Sequence, residues 1–210
     1  AVLQALFVTF LWSTSWVLLK IVLKDSLTAI TFDGLRYFVA FLCLFPFILI
    51  NPTHRKVLHT FSYAAWGQLA LLGIVFYSLT QGAQFVSLAF LPAATLSLLL
   101  NFSPIFVALL SGFLKDESPS IIQWGGVILS AAGAIVYFLP LNIPTGQIFG
   151  LMIAFIGVLA NSASSLLGRR VNYQSGLAPI LVTAISMGIG GFLLLIAGAA
   201  GGTGSGAIPI

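Results

Sequence analysis

The chain has 210 residues, 60% hydrophobic and 6% charged, with eight Lys and Arg against four Asp and Glu and a single cysteine. Stretches 61–114, 118–168 and 171–210 contain no Asp, Glu, Lys, Arg or His, whereas a soluble domain needs roughly a quarter of its residues charged to cover its surface. A water-soluble domain is therefore excluded, lipid is the solvent of most of the protein, and the net charge of +4, gathered mostly at the ends of apolar runs, does not point to nucleic acid.

A membrane-spanning helix needs about 20 apolar residues, and seven segments qualify: 2–23, 28–50, 66–88, 93–114, 121–139, 147–168 and 177–199. Barrel strands would alternate in polarity over about ten residues. These runs are apolar on all sides, so helices are expected, which satisfy their own backbone hydrogen bonds in lipid.

The first span carries Thr9, Ser13 and Trp16 on one face with Trp12 beside them, and no small-residue cleavage site follows it, so it is not read as a signal peptide. In the second, Arg36 lies about eight residues inside, roughly 12 Å deep by helical rise, where arginine costs about 2.5–3.5 kcal/mol on insertion scales. Asp33 is three residues earlier on the same face, which predicts an internal ion pair. Cys43 reads as a small buried side chain of this span. A basic loop with His54, Arg55, Lys56 and His59 follows.

The third span carries a stripe of Gly73, Tyr77, Gln81, Gln84 and Ser87. Glutamines at membrane depth must find partners or water, so the stripe is a candidate cavity lining, with interhelical bonding as the alternative. Leu91-Pro92 makes a tight turn into the fourth span, where Pro104 should kink the helix. There Ser97, Asn101, Pro104, Ala108 and Ser111 fall on one face at a 3.6-residue period, which reads equally as a pathway lining or a helix–helix seam. Asn161 on the sixth span is a further lining candidate, and Gly188-Ile-Gly190-Gly191 in the seventh reads as packing. The absence of an initiator Met and the flexible stretch 201–206 are read as the cut ends of a longer protein.

Lys and Arg in short loops set orientation. With the N-terminus in the cytoplasm, Arg55, Lys56, Lys115, Arg169 and Arg170 lie inside against Lys20 and Lys24 outside. Segments 6–20 and 152–169 each run from an apolar stretch through a small-polar cluster to a basic residue. They belong to spans one and six, whose odd offset makes them face opposite ways, the arrangement of an inverted repeat.

The stretch 84–117, with Pro104 in mid-span and Glu117 at the cytoplasmic end, followed by Gly125, Gly126 and Gly133, resembles the drug/metabolite transporter superfamily in its EamA-type branch. Trp12 with Lys20 resembles the first-span pattern of that family, and Arg36 in Leu35-Arg36-Tyr37 its second-span arginine. Ser118 replaces the basic residue usual after the glutamate, and Asp33 is an addition. The resemblance implies an all-α polytopic bundle of inverted five-helix repeats, residues 1–140 forming the first and 141–210 part of the second, with seven of ten spans present.

It further implies an inner-membrane secondary transporter exporting small metabolites, such as amino acids or related amphipathic solutes, by alternating access. The substrate-pathway candidates are Trp12, Tyr77, Gln81, Gln84, Asn101, Pro104 and Asn161, with Asp33 and Arg36 as charged intramembrane groups. A nucleotide-sugar or sugar-phosphate carrier of the same superfamily is the alternative, although such multiply anionic substrates call for more basic side chains at depth than Lys20 and Arg36. A seven-helix receptor and a membrane-embedded enzyme are the alternatives of other classes. A retinal protein is disfavoured because the last span has no lysine, and an enzyme because no catalytic constellation or metal-spaced cluster is visible. No cofactor or metal is expected. The expected partners are a small-molecule substrate, the lipid bilayer and a second copy of the chain.

Overall fold

The computed structural model describes residues 2–4, 6–11, 14, 28–112, 120–138, 144–174 and 176–201, and among these all regular structure is helical. A short apolar α1 covers Val2–Leu11. Helix α2 (Ala29–Ile50) starts at Thr28, whose hydroxyl accepts from the Thr31 N–H, and stops at Asn51. Asn51 in turn caps the short basic helix α3 (Pro52–His59), which has Pro52 in its first turn. Ser62 caps α4 (Tyr63–Leu72). The chain then passes without interruption through a π-helical segment (Gly73–Gln81) into α5 (Gly82–Phe90).

Helices α6 (Ala93–Leu100) and α7 (Ser103–Gly112) follow the Leu91-Pro92 turn. Helix α8 (Ile121–Phe138) opens with a reciprocal capping box. The Ser120 N–H donates to Gln123 Oε1 at 2.8 Å and the Gln123 N–H to Ser120 Oγ at 3.3 Å. A 3₁₀ turn (Thr145–Gln147) leads into α9 (Ile148–Gln174). Gly176, at φ +61°, turns the chain in the left-handed region towards α10 (Pro179–Gly201).

The chain is thus an all-α polytopic membrane protein. Among the described residues five stretches are long and apolar enough to cross a bilayer: Ile30–Ile50, Tyr63–Phe90, Ala93–Gly112, Thr145–Tyr173 and Pro179–Ala200. Two of the seven expected spans are shorter among the described residues. The first shows only Val2–Leu11, the rest of 2–23 being mostly outside the description. The fifth, α8, has 18 residues, about 27 Å of helix against a hydrocarbon layer of about 30 Å.

The fourth span is not one helix. Pro104 has no N–H to give and disfavours helical geometry at Ser103. The preceding turn tightens, with Asn101 N–H bonding to Leu98 O at 3.1 Å and Phe102 N–H to Leu99 O at 3.0 Å. The expected shared face is divided: Ser97, Asn101 and Pro104 are exposed, while Ala108 and Ser111 are buried, as is Ser103 beside the break.

Helices α2 and α10 form the closest pair and run antiparallel. Gly34 lies against Leu194 and Leu195, Phe38 against Gly191, Phe41 against Gly188, and Ile48 packs with Leu181 and Ala184. Helix α10 also presses on the π segment. A Cβ added at Gly190 would strike the Gly73 carbonyl oxygen and lie 2.5 Å from Tyr77 Cβ, and one at Gly73 would lie 2.5 Å from the Ser186 carbonyl oxygen. The glycines of α10 therefore sit where backbones meet, the small-residue packing that lets helices associate in lipid.

Helix α9 covers the opposite side of the π segment and α5, carries α7, and leaves α8 at the edge against α7. Cys43, expected to be buried, is exposed on α2. In a bilayer both faces of a helix are apolar, so its neighbours in sequence did not mark which side meets lipid.

Candidate functional site

The charged pair of α2 is the centre of the candidate site. Asp33 is fully buried and its carboxylate lies 3.5 Å from the Arg36 guanidinium, one helical turn on. Neither carboxylate oxygen has a hydrogen-bond partner among the described residues. Arg36 donates to the Tyr37 hydroxyl, and its guanidinium carbon lies 4.5 Å from the centre of the Tyr37 ring and 5.0 Å from that of Phe85 on α5. Tyr37 meets Tyr77 of the π segment edge to face at 5.0 Å. A guanidinium enclosed by ring faces is held by cation–π attraction that strengthens as water is excluded.

The long helix Tyr63–Phe90 supplies the neutral polar groups. Tyr77, Gln81, Gln84 and Ser87 are all buried, as are Gly73 and Thr80. Thr80 Oγ donates to the Val75 carbonyl at 2.8 Å, five residues back, as the wide π turn allows. Ser87 Oγ returns to its own helix at the Ala83 carbonyl. Gln84 is different: its Oε1 is buried with no partner among the described residues. In a low-dielectric interior a carbonyl or carboxylate without hydrogen bonds is costly, and two such groups, Asp33, which has only its ion pair with Arg36, and Gln84, lie on helices that pack directly on each other. Asp33 and Gln84 present acceptors, Arg36 presents donors, and the rings of Tyr37 and Phe85 lie on the Arg36 guanidinium.

A second polar contact ties α7 to α9. Asn161 Nδ2 donates to Ser103 Oγ at 3.0 Å and Ser162 Oγ to the Ser103 carbonyl at 3.1 Å. The proline break frees backbone acceptors, and α9 brings hydroxyl and amide donors to them.

The nine residues singled out from the sequence thus separate. Asp33 and Arg36 pair with each other on α2, Tyr77 meets Tyr37, the neighbour of Arg36, and the helix of Tyr77 carries buried Gln81 and Gln84. Asn161 is half-buried at Ser103 in the second contact. Asn101 and Pro104 are exposed at the break and join neither group. Trp12 lies outside the described residues.

Sequence reasoning missed Tyr37, Phe85, Ser103 and Ser162. Tyr37 carried a signal, since it directly follows an arginine at membrane depth that needs an electron-rich neighbour, whereas Phe85 is indistinguishable in sequence from any apolar core residue. Among the described residues no group of three or more His, Cys, Asp or Glu side chains is placed to hold a metal ion.

The EamA-like transporter family matches residues 1–139. The chain is 29% identical over 157 residues to the uncharacterized transporter YoaV of Bacillus subtilis, covering 73% of this chain and 51% of that protein. It is 29% identical over 188 residues to an uncharacterized transporter of Synechocystis, covering 88% and 52%. It is 28% identical over 197 residues to the uncharacterized transporter YvbV of Bacillus subtilis, covering 91% and 60%. The chain spans about half the length of the curated relatives it matches. No solved structure matches it significantly.

Proposed function

Because the chain belongs to the EamA-like transporter family, we propose that it works within a secondary transporter of small amphipathic metabolites, amino acids or related solutes, exported by alternating access. In this reading residues 1–140 form one helical repeat and 141–210 the start of a second, inverted one. The N-terminus is cytoplasmic in a bacterial-type inner membrane. The naming of the relatives as transporters supports a carrier rather than an enzyme.

The observation that carries the substrate class is the buried Asp33–Arg36 pair, with its unpaired carboxylate oxygens and its aromatic surround. A zwitterion exchanges into such a pair without a change in net charge. Its carboxylate takes the guanidinium fork, its ammonium takes Asp33 and the Gln84 carbonyl, and its side chain meets Tyr37, Tyr77 and Phe85. Charge-assisted bonds of this kind are the strong ones in a dry site. A multiply phosphorylated sugar would leave excess negative charge beside Asp33, which disfavours it.

The deciding experiment is uptake by the full-length protein in proteoliposomes from a labelled panel of zwitterionic amino acids and of sugar phosphates. Carriage of an amino acid, lost in Arg36→Gln at unchanged protein level, is the expected result. Carriage of sugar phosphates with no amino acid transported would overturn the reading.

A further inference from the structure

An aromatic groove of about 360 Å³ opens on the face of the bundle where α2 and α10 cross α3 and the start of α4. Phe41 and Phe45 from α2 and Ile189 and Phe192 from α10 form its walls, with Leu58 of α3 and Trp66 of α4 at one end. Its lining carries almost no polar surface, so it takes no metabolite that must be hydrogen-bonded. Phe45, Trp66 and Phe192 remain substantially exposed around it.

Two features say what fits. The wall on α2 runs from Phe38 to Ile48, about 15 Å of helix, half of a hydrocarbon layer about 30 Å thick. That is the depth of one leaflet. The end marked by Leu58 is the basic end of the molecule. His54 and Arg55 precede Leu58 by four and three residues and so share its side of α3, and Arg55 and Lys56 are exposed. Arg169 and Arg170 lie at the same end, because the adjacent Val171 shares a core cluster with Leu58. Asp33, the one acidic residue among those described, lies near the other end of α2.

We propose that this groove is a binding site for an anionic phospholipid of the leaflet on the α3 side, one acyl chain lying between α2 and α10 and the headgroup phosphate on Arg55. The apolar walls give no selectivity between lipids of equal chain length. The basic helix does, because each Lys or Arg near an anionic lipid surface favours it about fivefold. The site does not depend on the identity of the transported solute.

Trp66 makes the test direct. Every other tryptophan of the full-length protein, Trp12, Trp16 and Trp124 among them, is replaced by Phe so that Trp66 is the sole emitter, and the protein is reconstituted into phosphatidylcholine vesicles. Phosphatidylglycerol or phosphatidylcholine with brominated acyl chains is then titrated in, since bromine quenches indole only at contact. The brominated phosphatidylglycerol is expected to reach half-quenching at a mole fraction at least fivefold lower than the phosphatidylcholine. In Arg55→Gln, an exposed position, both lipids are expected to quench alike. Equal quenching in the parent protein, a preference that survives the substitution, or no quenching by either lipid, as when protein covers the groove, would each overturn the proposal.

Discussion

The seam between α10 and the π segment makes Gly190→Ala the most informative single perturbation. The added methyl would strike the Gly73 carbonyl oxygen and lie 2.5 Å from Tyr77 Cβ, where ordinary contact begins near 3.4 Å. Backbone and Cβ atoms cannot swing aside, so the two helices must part by roughly 1 Å, a shift that also stretches the 3.0 Å bond from Ser78 Oγ to the Gly190 carbonyl. Overpacking of this kind costs about 1–3 kcal/mol, against a gain of about 1 kcal/mol from replacing glycine by alanine inside a helix. The net expectation runs from about no change to a loss of about 2 kcal/mol. Gly133→Ala on α8 is the control, because a Cβ there meets nothing within 4 Å, leaving only the propensity gain, so Gly190→Ala should fall about 1–3 kcal/mol below it. Reversible unfolding in mixed detergent micelles measures both. Equal stability of the two variants would refute the packing assigned to α10.

In a Cys43→Ala background, cysteines at Arg55 and Arg170 are expected to react with impermeant thiol reagents from one side, since both lie at the same end of the bundle. A cysteine at Lys24 should react from the other, and labelling of all three from one side would defeat the inverted arrangement of spans. Gln84→Leu removes a buried carbonyl that has no partner among the described residues, so membrane-inserted protein should stay at wild-type level while transport by the full-length protein falls severalfold; parallel loss of folded protein would make Gln84 a packing residue instead. Because Asp33 is the proposed acceptor for the ammonium of the solute, Asp33→Asn is expected to lower downhill exchange by the full-length protein severalfold. Downhill exchange retained in Asp33→Asn, with gradient-driven uptake present in wild type and lost in the variant, would make Asp33 the coupling site instead.

Where hydropathy alone decides, the sequence was legible. A span must be about 20 apolar residues long whatever surrounds it, so the expected spans 66–88 and 177–199 fall within a few residues of the helices Tyr63–Phe90 and Pro179–Gly201. Where packing decides, it was not. The stripe Gly73, Tyr77, Gln81 has four-residue steps that suit an α-helix and a π-helix alike, and only the approach of α10 and α9 on either side distinguishes them. Pro104 announced a disturbance, but the sequence did not say which residues of the face Ser97, Asn101, Pro104, Ala108 and Ser111 would be covered: only Ala108 and Ser111 are buried, where α7 packs on α9.

The site was legible in proportion to its charge. Asp33 and Arg36 could be paired from sequence because a one-turn spacing puts them in reach and lipid makes separation costly. Their aromatic enclosure could not, because Phe85 reaches Arg36 from another helix. The enclosure also bears on why the pair is there. Breaking a buried ion pair is costly, yet replacing both partners by apolar side chains is often neutral or stabilising, so the pair is poor evidence for a structural role. A guanidinium held at one turn from a carboxylate with unsatisfied oxygens, against the rings of Tyr37 and Phe85, is better suited to exchanging partners than to cementing a fold. That exchange is what a site must perform if it takes up a charged solute on one side of a membrane and gives it up on the other.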